Sequence, residues 1–233
     1  MSSKQKLVRF DWAVKKLLRN KANFDILEGL LSELFGFDVK IQTLLERDGN
    51  QEYELDKFNR VDILTVIEGG ELVLVEIQNE PEHDYFQRML YGSSKLVTEY
   101  LKSGAPYGKI KKIYSVNIVY FDLGKGSDYV YKSTTDFVGM HSQEELPTSS
   151  TQESKFNVKH FSESLLNYYL LKVNNFDKIA EDSLDEWIHF LKTSEIYGKH
   201  KAKGLEQAAE KMRYELLSDD EKVAYNRFEE SLR

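Results

Sequence analysis

Apolar positions recur along the chain with two different periods. In Phe24–Phe35 the residues Phe24, Leu27, Leu30, Leu31 and Leu34 recur in steps of three and four, which predicts an amphipathic helix, and Gly36 supplies a stop. Phe10–Leu18 reads as a helix too. Val39–Leu45 reads as a strand, and Arg47–Lys57 as a polar loop. Arg60–Ile67 and Glu71–Gln78 are β-rich runs separated by Glu68, Gly69 and Gly70, a hairpin signature. Pro81 breaks the second run. Glu82–Ser103 then reads as a long helix, with Gly104 and Pro106 as stop signals. Ile113–Phe121 predicts a mostly buried strand, Tyr129–Val138 another and Phe156–Phe161 a last one, with Gly139–Ser154 as a loop. From about residue 163 the pattern is helical, and the capping box Ser218-x-x-Glu221 opens a final helix. The order predicts an α/β core on a mixed sheet over residues 1–162, followed by a helical C-terminal region over residues 163–233.

Composition narrows the picture by exclusion. A chain of 233 residues, 41% hydrophobic and 30% charged, fits one globular domain or one domain plus an appendage. Its 14 Tyr, 13 Phe and 2 Trp argue against disorder. The absence of Cys removes disulfides, thiolate metal sites and Cys nucleophiles. No apolar run reaches the roughly 18 residues that a membrane span needs. The basic N-terminus has no apolar stretch behind it, so a secretory signal is not expected and the cytoplasm is the expected compartment. His83, His141, His160, His189 and His200 show no H-x-x-x-H spacing, and neither a phosphate-binding G-x-x-x-x-G-K loop nor a G-x-S-x-G elbow occurs.

The net charge of -7 hides a block pattern. Residues 1–23 carry seven Lys/Arg and one Asp, a net of +6. Residues 41–86 carry twelve Asp/Glu and three Lys/Arg, a net of -9, and residues 87–114 carry six Lys/Arg and one Glu, a net of +5. An acidic middle between basic flanks suits cations held by carboxylates with a polyanion alongside; it equally suits solvated charged faces.

The hairpin carries the candidate chemistry. Asp62 lies among Val61, Ile63 and Leu64, and Glu76 interrupts the run Leu-Val-Leu-Val, where a charge is costly unless paired or bound to metal. The strand period puts Glu76 and Gln78 on one face. A two-residue turn at Gly69-Gly70 would set Asp62 opposite Ile77 and send Glu76 to the other face. A three-residue turn, Glu68-Gly69-Gly70, would set Asp62 opposite Glu76 with Cβ atoms about 4.5–5.5 Å apart. Gly70 can take the left-handed residue that such turns want. Two carboxylates with an amide oxygen nearby suit Mg²⁺ or Mn²⁺. The competing reading is a pair of structural ion pairs, for example with Arg60.

Asp62 followed fourteen residues later by Glu76-Ile-Gln78 resembles the PD-(D/E)XK nuclease signature in its E-x-Q variant, found in the nuclease-type transposases and the related recombination-promoting nucleases. Asp11-Trp-Ala-Val-Lys15 resembles that family's opening D-x-x-F-K element. Gln87-Arg88-Met-Leu-Tyr91 and Gly104-Ala-Pro-Tyr107 resemble its R-x-x-Y and G-x-x-Y elements. Tyr114–Phe121 resembles the core strand that follows, and Trp187–Leu191 and Leu217–Glu221 resemble its helical C-terminal part. The resemblance spans about residues 10–230. It implies a restriction-endonuclease-like core and a Mg²⁺- or Mn²⁺-dependent endonuclease that hydrolyses DNA, linked to recombination or transposition, with Asp62 and Glu76 as metal ligands.

Two positions depart from that family's pattern. Gln78 stands where the catalytic Lys is usual, and Val61 rather than Pro precedes Asp62. Gln78 can orient a water or offer its carbonyl to a metal but supplies no positive charge. Lys15 and Arg88 are the candidate substitute cations. Arg88 serves equally as a phosphate clamp or a partner for Glu76. Arg60, Lys16 and Lys95 are candidates for DNA contact, with Lys95 on the same helix face as Arg88. Lys15 and Lys16 also read as a solvated face. Glu28 and Glu33 are candidate helix carboxylates for the metal or ordinary helix surface. The missing Lys leaves a second reading open, a degenerate nuclease fold that binds nucleic acid or protein without cleaving. No membrane partner is expected, and homo-oligomerisation is left open.

Overall fold

In a computed structural model, residues 6–45, 62–100, 105–196 and 198–232 are described. Arg60 and Val61 fall outside them. Six strands form one mixed sheet: β1 (Ile41–Leu44), β2 (Ile63–Ile67), β3 (Leu72–Gln78), β4 (Ile113–Val119), β5 (Val130–Ser133) and β6 (Asn167–Lys172), in the order β1-β2-β3-β4-β6-β5. The helices are α1 (Phe10–Lys16), α2 (Phe24–Phe35), α3 (Tyr85–Tyr100), α4 (Ser150–Phe156), α5 (Ser183–Thr193), α6 (Leu205–Lys211) and α7 (Asp219–Ser231). This is the mixed α/β class expected, with helices at the C-terminal end. Among the described residues no helix is long and apolar enough to cross a membrane.

The chain divides into two compact units, Met1–Ile41 with Val173–Arg233, and Gln42–Lys172. In the second, β3 and β4 pair in parallel and are buried almost throughout, which explains their near-continuous apolar sequences. β4 pairs β6 in parallel, while β2 and β5 add antiparallel strands at either side. Helix α3 packs on one sheet face. Leu96 meets Leu64, Leu72, Leu74 and Ile113, and Tyr85 and Met89 meet Val119, Phe121 and Leu170. Gly92 and Ser93 are buried on this helix as well.

In the first unit, Phe10 meets Trp187 and Phe190 edge-on at 6.0 and 6.5 Å, and Trp12 meets Tyr225 at 5.2 Å. Helix α2 ends as expected on Gly36, at φ 78°. Its Gly29 lies against the turn before α6, where an added Cβ would stand 2.2 Å from the Lys203 carbonyl oxygen. The Ser218/Glu221 capping box opens α7 with both of its hydrogen bonds.

Two elements differ from the sequence expectation. Residues 167–172, read as part of a helical region beginning near 163, form β6. The run Asn-Tyr-Tyr-Leu-Leu-Lys is short and apolar, and periodicity alone does not separate a buried strand from a helix there. The strand expected at 156–161 is absent: α4 ends at Phe156, Asn157 turns left-handed, and the segment makes one isolated bridge, Pro147 to His160. A capping box between Ser149 and Gln152 starts α4 inside the expected loop.

Candidate active site

The hairpin turn adopts the three-residue form. Ile67 N–H donates to the Glu71 carbonyl at 3.0 Å and Gly70 N–H to the Ile67 carbonyl at 2.9 Å, with Gly69 and Gly70 at φ 104° and 85°. The pairs Ile63–Val75, Leu64–Leu74, Thr65–Val73 and Val66–Leu72 follow. Continued by one residue, that register sets Asp62 opposite Glu76, on the face covered by α3. The Asp62 carboxylate accepts from the Ile77 backbone N–H at 2.7 Å. Glu76 is 3% exposed and lies beside Asn117 in the β3–β4 register.

Arg88 reaches this point from α3. Its Nε stands 3.9 Å from Glu76 Oε2, and its Nη1 donates to Glu82 Oε2 at 2.8 Å. Burial works against the guanidinium charge, but Glu76 and then Glu82 outweigh it, so its pKa lies above the ordinary value. One turn earlier, Tyr85 is fully buried. Burial first, and the nearby Glu76 next, push its phenol far above the usual range, with Asp62 and Glu82 acting in the same direction. Gln78 is half-buried, two residues beyond Glu76, and its Nε2 donates to the Glu80 carbonyl at 3.2 Å. Lys95 is half-buried on α3, with Nζ 3.9 Å from Glu99.

A family model described as PD-(D/E)XK nuclease family transposase matches residues 8–233. The chain belongs to this family. No curated protein and no solved structure matches the chain. The family is one of nucleases associated with transposition, and its members generally use divalent metal ions.

Among the described residues, no group of three or more His, Asp or Glu side chains gathers as a metal cage. The candidate donors are instead two carboxylate residues at facing strand positions, Asp62 and Glu76, with Gln78 on the same face. Mg²⁺ keeps several waters and is commonly bound through one or two carboxylates plus substrate phosphate, so these residues fit such a cation.

The remaining candidates have other surroundings. Lys15 and Lys16 lie in the last turn of α1 in the first unit, exposed. Asp11 is buried and paired with Arg9 at 2.8 Å. Glu28 holds Lys40 Nζ at 2.8 Å and accepts from Ile41 N–H at 2.9 Å. Glu33 accepts from Ser183 Oγ and Lys203 N–H. The two helix carboxylates are thus engaged in holding the first unit together. Arg60 and Gly104 lie outside the described residues.

Three residues beside Glu76 or Arg88 escaped the sequence reading: Glu82, Tyr85 and Asn117. Asn117 gave the same signal as Glu76, a polar residue interrupting an apolar strand, Ile-Tyr-Ser-Val-Asn-Ile-Val. Tyr85 stands three residues before Arg88, hence on its helix face.

Proposed function

We propose that the chain is a metal-dependent endonuclease that hydrolyses DNA phosphodiester bonds in recombination or transposition, with Asp62 and Glu76 as its metal ligands. The observation that carries this reading is the three-residue turn, whose register, continued by one residue, puts Asp62 across from Glu76. When bound, a divalent cation supplies acidification of a coordinated water and neutralisation of charge on the scissile phosphate. The chain's own groups do the positioning. The Ile77 N–H holds the Asp62 carboxylate, and Arg88 holds Glu76. Gln78 offers its amide carbonyl to a water or the cation. Arg88, with its Nε 3.9 Å from Glu76 Oε2, takes the electrostatic part usually played by the motif Lys, with Lys15 as the other candidate. Arg60, Lys16 and Lys95 are assigned to the DNA backbone.

A second reading, a nuclease fold that binds without cutting, draws on Gln78 and on the lack of a third carboxylate or His in the described group. Nicking of supercoiled plasmid separates the two. Cleavage with Mg²⁺ or Mn²⁺ that EDTA stops and Asp62→Asn abolishes is the expected result. Binding without nicking under every metal condition would establish the second reading.

A further inference from the structure

Arg88 stands between two carboxylates and hydrogen-bonds only one of them. Its Nη1 donates to Glu82 Oε2 at 2.8 Å. Its Nε stands 3.9 Å from Glu76 Oε2, beyond hydrogen-bond reach. That Nε is buried and has no hydrogen-bond partner among the described residues. A buried donor left unmade costs free energy, and a charge-assisted bond to a carboxylate is among the strongest on offer. Glu76 is also the more enclosed of the two acids, with its side chain 4% exposed against 28% for Glu82, so attraction on its side is the less screened. These effects alone would draw the guanidinium onto Glu76.

The restraint is geometric. A guanidinium is planar and its donors form a rigid fork, so a bond at Nη1 fixes where Nε can reach. Glu82 takes Nη1 from the segment just before α3, three residues ahead of the first helical residue, Tyr85. The guanidinium carbon also lies 6.0 Å from the centre of the Tyr85 ring. Arg88 and Glu76 therefore face each other as an ion pair without a bond. A full bond there would compete with metal binding twice over, by occupying carboxylate lone pairs and by setting a positive charge against the cation.

We propose that Glu82 is a positioning residue that holds Arg88 short of Glu76 and so keeps the Glu76 carboxylate open to a divalent cation. This rests on the metal-site reading above.

The test is a double-mutant cycle on the full chain: Glu82→Ala, Arg88→Met and the two together, with Asp62→Asn as reference and folding of all four checked by circular dichroism. Mn²⁺ affinity is measured by calorimetry without DNA. Glu82→Ala should raise the dissociation constant about 10–100-fold, the usual effect of removing a group that supports a metal-ligating side chain. Arg88→Met should reverse that loss in the Glu82→Ala background and tighten binding far less in the wild type, where Glu82 already restrains the guanidinium. A double variant as weak as Glu82→Ala overturns the proposal, because Glu82 would then act on the metal directly. An Arg88→Met effect equal in both backgrounds overturns it too, because Glu82 would then be only a charge acting at a distance. Wild-type affinity in Glu82→Ala, with loss in Asp62→Asn, sinks the role of Glu82 alone. Wild-type affinity in Asp62→Asn overturns the metal site and the role of Glu82 with it.

Discussion

Glu76→Gln distinguishes a carboxylate that supports the fold from one that burdens it. The change removes one charge and keeps the side-chain shape. Arg88 Nε at 3.9 Å from Glu76 attracts it by roughly 4 kcal/mol at an effective dielectric constant of about 20. Asp62, a like charge on the facing strand, repels it and offsets part of that attraction. The Arg88 side chain is 27% exposed, and solvent screening reduces the attraction further. Burying a carboxylate that is 3% exposed adds a penalty of order several kcal/mol before compensation. Arg88 is not stranded by the substitution, because Glu82 stays at 2.8 Å from its Nη1. In EDTA, Glu76→Gln is therefore expected to be neutral or stabilising by up to about 3 kcal/mol, a Tm rise of up to about 6–12 °C for a chain this long. It should also erase the Mn²⁺-induced stabilisation, which for the wild type is about 2.7 kcal/mol at a hundredfold excess of metal over Kd. Thermal unfolding of both proteins, in EDTA and in Mn²⁺, reads both quantities. A Tm fall beyond about 4 °C in EDTA, with the metal response intact, would refute this reasoning and make Glu76 a structural partner of Arg88.

Gln78→Lys should retain or raise Mn²⁺-dependent nicking if position 78 is a vacated Lys site; a loss of about 10²-fold or more in folded protein would identify the Gln78 carbonyl as a metal ligand instead. DNA affinity, followed by fluorescence anisotropy, should fall steeply between about 50 and 200 mM salt as phosphate contacts release counterions, and a flat response would point to a protein partner. Gly29→Ala should destabilise the first unit by about 1–3 kcal/mol, because its Cβ would land 2.2 Å from a backbone oxygen. A wild-type denaturation midpoint for that variant would contradict the close approach.

Much of this fold was legible because period and punctuation agreed. Helix α2 runs from Phe24 to Phe35 and stops on Gly36, and the run Leu72–Gln78 is a strand, because each carries both its pattern and its breaker. Strand β6 was not legible: Asn167–Lys172 is short and mostly apolar, and only its partners β4 and β5 make it a strand. Helix α4 was hidden for the opposite reason, since its weakly patterned residues are held by a cap rather than by an apolar stripe. At the site, Asp62 and Glu76 stood out as charges in apolar runs, but their meeting turned on a single residue in the turn. Asn117 comes beside Glu76 only when β4 pairs with β3, and Tyr85 and the Arg88–Glu82 pair reach the site only once α3 has folded onto the sheet. A spacing argument along one strand does not reach them.

The hairpin and the parallel strands also differ in when they can form. Asp62 and Glu76 are brought together by a turn of three residues, and hairpins of this kind close in roughly microseconds. Asn117 reaches Glu76 only through the crossover from β3 to β4, and parallel pairing of distant segments is slow because its loops must close before any contact rewards them. The two like charges are therefore opposed while the hairpin is still open to water, where their repulsion is weak. They lose that water later, as α3 and β4 close over them. Folding rate should then respond to ionic strength and to substitutions at Asp62 or Glu76 mainly through this late step.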